Sequence, residues 1–164
     1  PIGLLAVAVL RARGARHITA VDLHERPLRI ARELGADVVL QQPDAADVAA
    51  IDADVVIESS GSPQGLDTAI RGAARGGVVA MVGLLPSGPQ PVQVALAIAR
   101  ELDLLGSFRF NDEIDEVIAA LADGTLRIAP VISHVKRWRS AADAFATAAD
   151  PTVSSKVLLQ FGKA

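Results

Sequence analysis

Hydrophobic and polar positions along the chain follow two periods that take turns. Short apolar runs rich in Val, Ile and Leu are typical of buried strands, and segments whose apolar residues recur about every three or four positions are typical of helices. The predicted helices cover 2–13, 27–34, 45–51, 64–74, 92–100, 112–122 and 140–149. The predicted strands cover 17–23, 37–40, 54–58, 78–84, 102–108, 131–134 and 155–161. This alternation predicts the α/β class, with a doubly wound parallel sheet buried between helices on both faces.

Composition limits the kinds of protein that the sequence can encode. Of its 164 residues, 51% are hydrophobic, so the chain can bury a core without a disulfide or a metal. The absence of Cys excludes disulfide frameworks, thiol catalysis and cysteine-based zinc sites. The formal net charge of −3 argues against a nucleic-acid partner, which needs a basic surface. The apolar runs are shorter than the roughly 20 residues of a membrane-spanning helix, so no membrane partner is predicted.

The first residues and the first predicted strand carry a candidate nucleotide signature. Gly3 lies at the start of a predicted helix, and Asp22 lies near the end of the strand that follows it. A dinucleotide motif needs glycines before its first helix and an acid about 20 residues later that binds the adenosine ribose. Gly3 is either the last glycine of such a turn or an ordinary helix-start glycine, and Asp22 is either that acid or a turn residue. Together they predict a nucleotide site in a Rossmann-type fold.

Small and flexible residues come at the ends of two further strands. The segment 59–61 (SSG) follows one predicted strand, and the segment 82–84 (VGL) ends another. Ligands of open α/β sheets bind beyond the carboxyl ends of the strands, where glycines let the backbone approach closely. Each segment alone is equally an ordinary tight turn, but their repetition at successive strand ends favours a ligand site.

A third segment, 106–110 (GSFRF), places Arg109 between two of the four Phe residues of the chain. An Arg beside a planar pocket can hold a phosphate or the hydroxyls of a polyol. In the alternative interpretation Phe108 anchors the core and Arg109 is solvated. Other chemistry is not indicated, because the three His lack metal-ligand spacing and neither a G-x-S-x-G nor a P-loop motif is present.

Several segments come in the order found in one enzyme family. They are 1–5 (PIGLL), 21–23 (VDL), 33–37 (ELGAD), 58–61 (ESSG), 82–84 (VGL), 106–110 (GSFRF), 129–135 (APVISHV) and 155–159 (SKVLL). Over essentially its whole length the sequence resembles medium-chain, zinc-dependent alcohol and polyol dehydrogenases. The FRF element resembles the polyol branch, which includes sorbitol and L-idonate dehydrogenases. The resemblance implies an NAD-binding Rossmann domain over 1–130, with its first strand missing, and a segment over 131–164 that completes the catalytic domain.

The resemblance also implies roles for individual residues. The residues implied to bind NAD are Ile2, Gly3, Asp22, Leu23, Ser60, Val82, Gly83, Leu84, Ser107, Phe108 and Lys156. Asp22 would bind the adenosine ribose, the segment 82–84 would line the nicotinamide pocket, and Lys156 would reach the pyrophosphate. Arg109 and Phe110 match the pair that faces the substrate in the polyol enzymes.

A departure from the family decides what this chain can do alone. The amino-terminal domain that supplies the catalytic zinc ligands in the family is not in this sequence. Zinc is therefore expected in the parent enzyme but not in this chain, which holds no catalytic residue and is expected to be catalytically silent. The parent would be a cytoplasmic homo-oligomer that oxidises a secondary alcohol of a polyol or sugar acid. Two alternatives stay open, a zinc-independent NADPH quinone or enone reductase of the same superfamily and a non-catalytic nucleotide-sensing domain.

Overall fold

The computed structural model describes residues 1–110 and 112–162. The helices are α1 (Ile2–Ala12), α2 (Glu25–Glu33), α3 (Ala45–Ala49), α4 (Pro63–Gly72), α5 (Val94–Ala99), α6 (Glu113–Ala122) and α7 (Ala141–Ala149). The strands are β1 (Thr19–Asp22), β2 (Val38–Gln41), β3 (Ala53–Glu58), β4 (Ala73–Met81), β5 (Asp103–Gly106), β6 (Ile132–Arg137) and β7 (Lys156–Gln160). Helices and strands alternate as predicted and the paired strands are parallel, which confirms the α/β class.

The described chain forms two compact units. The first contains residues 1–42 and the described residues from 115 onward, and the second contains residues 43–114. In the first unit, β1 pairs with β2 and β6 pairs with β7. Its buried core residues are Leu4, Val7, Ala8, Ile18, Ile30, Ala31, Leu34, Ala36 and Val131. The predicted division of the chain near residue 130 into parts of two enzyme domains stays a prediction.

One arginine ties together the helices and strands at the start of the first unit. The Arg11 guanidinium donates to the Gly35 carbonyl at 3.1 Å and the Ala15 carbonyl at 3.0 Å, and forms an ion pair with Asp37 at 2.7 Å. The same Asp37 oxygen accepts a 2.8 Å hydrogen bond from the Ile18 N–H. These two donors hold the pKa of Asp37 below its ordinary value of 3.8, with the Ile18 N–H as the larger cause.

The second unit contains one three-stranded sheet of order β3-β4-β5. Its buried core residues are Leu66, Ala69, Ile70, Ala73, Val79 and Ala97. Helix α4, which supplies half of this core, begins with Ser62, whose Oγ accepts from the Gly65 N–H at 2.9 Å, and with Pro63 in the first turn. A hydroxyl cap followed by proline is a favoured helix start, because both compensate for the free N–H groups there.

The boundary between α4 and β4 differs from the prediction. The sequence pattern predicts a helix to residue 74 and a strand over 78–84, whereas α4 ends at Gly72 and β4 covers Ala73–Met81. Register along β3 shifts between Ala53 and Val55, so β4 carries extra residues there, and Gly76 adopts a φ of +73°. The glycines that pattern analysis interprets as a helix end therefore belong to an irregularity within a strand.

The strands and one helix expose more apolar surface than predicted. Burial of the strands on both faces is wrong for Val21, Val55 and Leu105, which are 39%, 56% and 53% exposed. Each lies on a strand that has one neighbour among the described residues, so packing covers it incompletely. The predicted helix over 112–122 is confirmed as α6, but its apolar stripe is exposed (Ile114, Val117, Ile118 and Leu121). Among the described residues, no helix has the length and apolar character to cross a bilayer.

Candidate functional site

The carboxyl ends of the three strands in the second unit lie side by side. Glu58 at the end of β3 is paired with Met81 at the end of β4, and Met81 is paired with Gly106 at the end of β5. The Ser107 N–H continues this register by donating to the Met81 carbonyl at 3.0 Å. The three predicted site segments, 59–61, 82–84 and 106–110, therefore all lie at the same edge of the sheet, where ligands of open α/β sheets bind.

A buried carboxylate organises the first of these segments. Glu58 is only 5% exposed, and its Oε1 accepts from the Ser60 N–H at 2.7 Å, the Ser60 Oγ–H at 2.5 Å and the Gly61 N–H at 3.2 Å. Hydrogen bonds from several donors are what a buried carboxylate requires, because burial alone would be costly. The predicted site residue Ser60 is thus held in place by its own neighbour in the chain.

The segments after β3 and β4 touch each other through their glycines. Gly61 has a φ of +66°, and a Cβ there would lie 2.7 Å from the Leu84 carbonyl oxygen. A Cβ on Gly83 would lie 2.2 Å from the Gly61 nitrogen and 2.6 Å from Glu58 Oε2. The sequence analysis expected these glycines to let a ligand approach the backbone. In the structure, the lack of side chains on these glycines allows the two turns to pack closely against each other.

Exposed apolar side chains surround these turns. Val82, Leu84, Phe108 and Phe110 are 37%, 81%, 72% and 69% exposed. Arg109 adopts a φ of +61°, and its guanidinium carbon lies 5.0 Å from the centroid of the Phe108 ring. Phe108 therefore does not anchor the core, and it stacks with Arg109 at the surface. Apolar groups gathered at strand ends suit a planar ligand ring.

In the first unit, Asp22 lies at the carboxyl end of β1 and begins the turn into α2. Its Oδ1 accepts from the His24 N–H at 2.9 Å, and its carbonyl accepts from the Gln42 N–H at 3.1 Å. The turn role considered for Asp22 is therefore present. Its binding role stays a prediction and is compatible with the turn, because the described contacts use only one of the two carboxylate oxygens. Leu23, next in the chain, is 64% exposed.

Among the described residues, no hydrogen bond or ion pair joins the remaining predicted residues of the first unit to Asp22. Ile2 and Gly3 lie in the first turn of α1, whose N-cap Pro1 makes no side-chain capping hydrogen bond, and Ile2 is 52% exposed. Lys156 begins β7 and is exposed, while its carbonyl accepts from the Ser133 hydroxyl at 3.2 Å. The cofactor roles of these three residues stay predictions.

In the part of the chain that the structure describes, the donor groups for a zinc ion are not gathered. The sequence contains no Cys, and no group of three or more His, Asp or Glu in the part that the structure describes could hold a metal ion. A zinc site needs three or four such ligands around one point. The described residues therefore do not fit a zinc ion.

Comparison with known proteins identifies the family. Residues 1–123 match the family model described as zinc-binding dehydrogenase. The chain belongs to the zinc-binding dehydrogenase family. L-idonate 5-dehydrogenase (NAD(P)(+)) of Escherichia coli K12 is 32% identical in sequence to this chain. The alignment covers 98% of this chain and 48% of the E. coli protein. The crystal structure of the E. coli protein matches with a TM-score of 0.90 over 98% of this chain and 47% of that chain.

Two further proteins support the same assignment. Sorbitol dehydrogenase of Rattus norvegicus is 30% identical in sequence to this chain. The alignment covers 90% of this chain and 44% of the rat protein. The crystal structure of a protein described as a short chain alcohol dehydrogenase of E. coli CFT073, in complex with NADH, matches with a TM-score of 0.89 at 26% identity, over 98% of this chain and 50% of that chain. The chain spans about half the length of the relatives that it matches. These matches confirm the predicted family and the Rossmann-like fold.

Glu58 is not among the site residues predicted from the sequence. The available signal was an acid that directly follows the apolar run 55–57 (VVI) and precedes two serines and a glycine. A charged residue at the buried end of a strand needs nearby donors, and the following N–H groups and hydroxyls supply them. The burial of Glu58 and its hydrogen bonds to the following turn arise only in the folded chain.

Proposed function

We propose that this chain is the NAD-binding part of a zinc-type dehydrogenase that oxidises a secondary alcohol of a polyol or sugar acid. Family membership supports the reaction class, and the names of the E. coli and rat relatives support the substrate class. The observation that carries the proposal is the edge of the second unit, where three parallel strands end in register beside exposed apolar side chains. That edge is suited to the nicotinamide end of a dinucleotide.

The residues of the chain would bind and orient the cofactor, which accepts the hydride when bound. At the strand ends of the second unit, Val82 and Leu84 would pack on the nicotinamide ring, and the Ser107 backbone would meet its carboxamide. Arg109, whose backbone is in the left-handed region and whose guanidinium stacks on Phe108, would face the substrate together with Phe110. Because its guanidinium has several N–H donors in a fixed plane, Arg109 would suit a carboxylate or vicinal hydroxyls.

In the first unit, Asp22 would accept hydrogen bonds from the adenosine ribose hydroxyls. Its Oδ1 already accepts from the His24 N–H, so the second oxygen would take the ribose. A carboxylate there also repels the additional phosphate of NADP, which supports a preference for NAD. Ile2 and Gly3 at the start of α1, with Lys156, would lie near the pyrophosphate. A homo-oligomer and a cytoplasmic location belong to the same proposal.

NADH fluorescence titration of the chain tests the binding proposal. We expect Asp22→Ala to weaken NADH binding about tenfold, because the lost hydrogen bonds are made by a charged acceptor. We expect the same variant to discriminate less against NADPH. Asp115→Ala, which removes an exposed acid of α6 in the same unit, is the matched control and should bind like the parent chain.

Three outcomes of binding and activity measurements would contradict the proposal or favour an alternative. Absence of NADH binding by the parent chain would contradict the proposal, and a strong preference for NADPH would favour the enone reductase alternative. Measurable alcohol oxidation by the 164-residue chain alone would contradict the expectation that it is catalytically silent.

A further inference from the structure

We propose that Glu58 is a further cofactor-binding residue, whose Oε1 holds the turns and whose Oε2 accepts a hydrogen bond from the nicotinamide-riboside half. This inference rests on the proposed function. It concerns a residue to which neither the sequence analysis nor the resemblance assigns a cofactor contact.

Glu58 joins the two turns with both its main chain and its side chain. Its carbonyl accepts from the Val82 N–H at 2.8 Å and from the Gly83 N–H at 3.0 Å, which fixes the start of the segment after β4. Its Oε1 accepts from Ser60 and Gly61, which fixes the segment after β3. One residue therefore sets the relative positions of two of the three turns at this edge.

The second carboxylate oxygen of Glu58, Oε2, does not hold either turn by a hydrogen bond. Among the residues that the structure describes, none donates a hydrogen bond to Glu58 Oε2, although the side chain is only 5% exposed. The fully enclosed side-chain atoms without a partner in the described residues are Arg26 Nε and Ser155 Oγ, so Glu58 Oε2 keeps a small exposed area. An acceptor with so little exposure has room for few donors from water, so a donor on a bound ligand is favoured there.

Its position indicates which ligand group would be the donor. Oε2 lies 2.6 Å from where a Cβ on Gly83 would stand, and Gly83 belongs to the segment proposed to line the nicotinamide pocket. The absence of a side chain on Gly83 lets its turn pack directly beside the carboxylate and the Gly61 nitrogen, so Oε2 lies next to the segment proposed to line the nicotinamide pocket. The nicotinamide-riboside half carries two kinds of donor, ribose hydroxyls and the carboxamide NH₂. Either would satisfy Oε2.

Glu58→Gln separates the two tasks of the carboxylate. Glutamine keeps one oxygen that can accept from Ser60 and Gly61, while its NH₂ replaces Oε2 with a donor. The turns can therefore persist while the acceptor for the ligand is lost. Glu101→Gln is the matched control, because it changes an exposed acid of the same unit in the same way. The probes are AMP, ADP-ribose and NADH, measured by calorimetry, with a thermal melt of each variant.

We expect Glu58→Gln to weaken NADH binding about tenfold, to leave AMP binding unchanged and to retain the thermal transition. An equal loss of ADP-ribose affinity would assign the donor to the ribose, and a loss confined to NADH would assign it to the carboxamide. Parent-like NADH binding, or equal losses for AMP and NADH, would overturn the inference. If Glu58→Gln does not fold, Ser62→Ala gives the second test. Ser62 Oγ lies 3.0 Å from the Ser60 hydroxyl and caps α4 without donating to Glu58, so this variant perturbs the turn and should retain NADH affinity. A tenfold loss there would assign the effect to the turn and overturn the contact. Failure of the parent chain to bind NADH would instead contradict the proposed function.

Discussion

Two acidic residues end parallel strands in this protein, one in each unit, and they are held very differently. Asp22 is partly exposed, and its side chain accepts one hydrogen bond, from an N–H of its own turn. Glu58 is 5% exposed, and its side chain accepts three hydrogen bonds while its main chain binds a second turn. The same residue chemistry at the same kind of position is thus a local turn feature in one unit and the centre of a packed network in the other. Burial, rather than residue type, makes the difference.

The largest effect that tests this comparison is expected at Gly83, which packs against the Glu58 network. Gly83→Ala places a methyl group 2.2 Å from the Gly61 nitrogen, so the backbone has to shift. We expect a loss of about 3 kcal/mol in the free energy of unfolding, measured by urea denaturation with far-UV circular dichroism. Gly106→Ala at the end of the neighbouring strand is the control, because no atom lies within 4 Å of its added Cβ. Equal stabilities of the two variants would show that the turns are not tightly packed.

A second prediction compares the two acids directly. Glu58→Ala leaves the Ser60 and Gly61 N–H groups without their acceptor in a buried site, and we expect a loss of about 2 kcal/mol in unfolding free energy. Asp22→Ala removes one hydrogen bond in a partly exposed turn, and we expect a loss of about 0.5–1 kcal/mol. Urea denaturation of both variants measures the difference. A larger loss for Asp22→Ala would reverse the comparison.

The smallest effect is expected for the pH dependence of stability that Asp37 contributes in the first unit. The Ile18 N–H and Arg11 lower the pKa of Asp37 below 3.8, its ordinary value. A carboxylate with a lowered pKa in the folded state stabilises the protein at pH values above the unfolded pKa, and this contribution is lost as the pH falls through the folded pKa. Stability should therefore fall below about pH 4 in the parent chain, and by less in Asp37→Asn, which lacks that titration.

The pH test needs a control of the same charge. Urea midpoints at pH 7 and pH 3 measure the effect, and Asp115→Asn changes an exposed acid of the same unit. The effect is small because the Asp37 side chain is 38% exposed, so solvent screens its ion pair with Arg11. An acid response of Asp37→Asn identical to that of the parent chain would assign the pH dependence to other groups.

Local sequence pattern predicted most of the elements, because helix and strand periods and their caps are properties of neighbouring residues. The helical pattern from residue 64 predicted the start of α4 at Pro63 to within one residue, and the apolar run of β3 predicted that strand. The limits of β4 could not be predicted in this way. Gly76 and Gly77 are typical of a helix end, and pairing with β3 across the sheet decides that they belong to a strand.

The candidate site likewise has some features that local sequence predicted and others that depend on tertiary packing. Spacing from Gly3 indicated Asp22, and glycines at strand ends indicated the segments around Ser60 and Gly83. Those signals are visible in the chain because turns and strand ends depend on short stretches of sequence. The packing of Gly61 against Gly83 depends on strands that are adjacent in space, so no local pattern could have indicated it.

The α/β class, the family resemblance and the order of helices and strands follow from the amino-acid sequence alone. The limits of β4 and β5, the turns that meet, the apolar residues that stay exposed and the acid that is buried became fixed only in the folded chain. The physical reason is that periodicity and capping act between neighbouring residues, whereas burial and register arise only when strands distant in the chain pair and exclude water. Glu58 shows both levels, since it is an ordinary acid in the printed sequence and a buried carboxylate joining two turns in the fold.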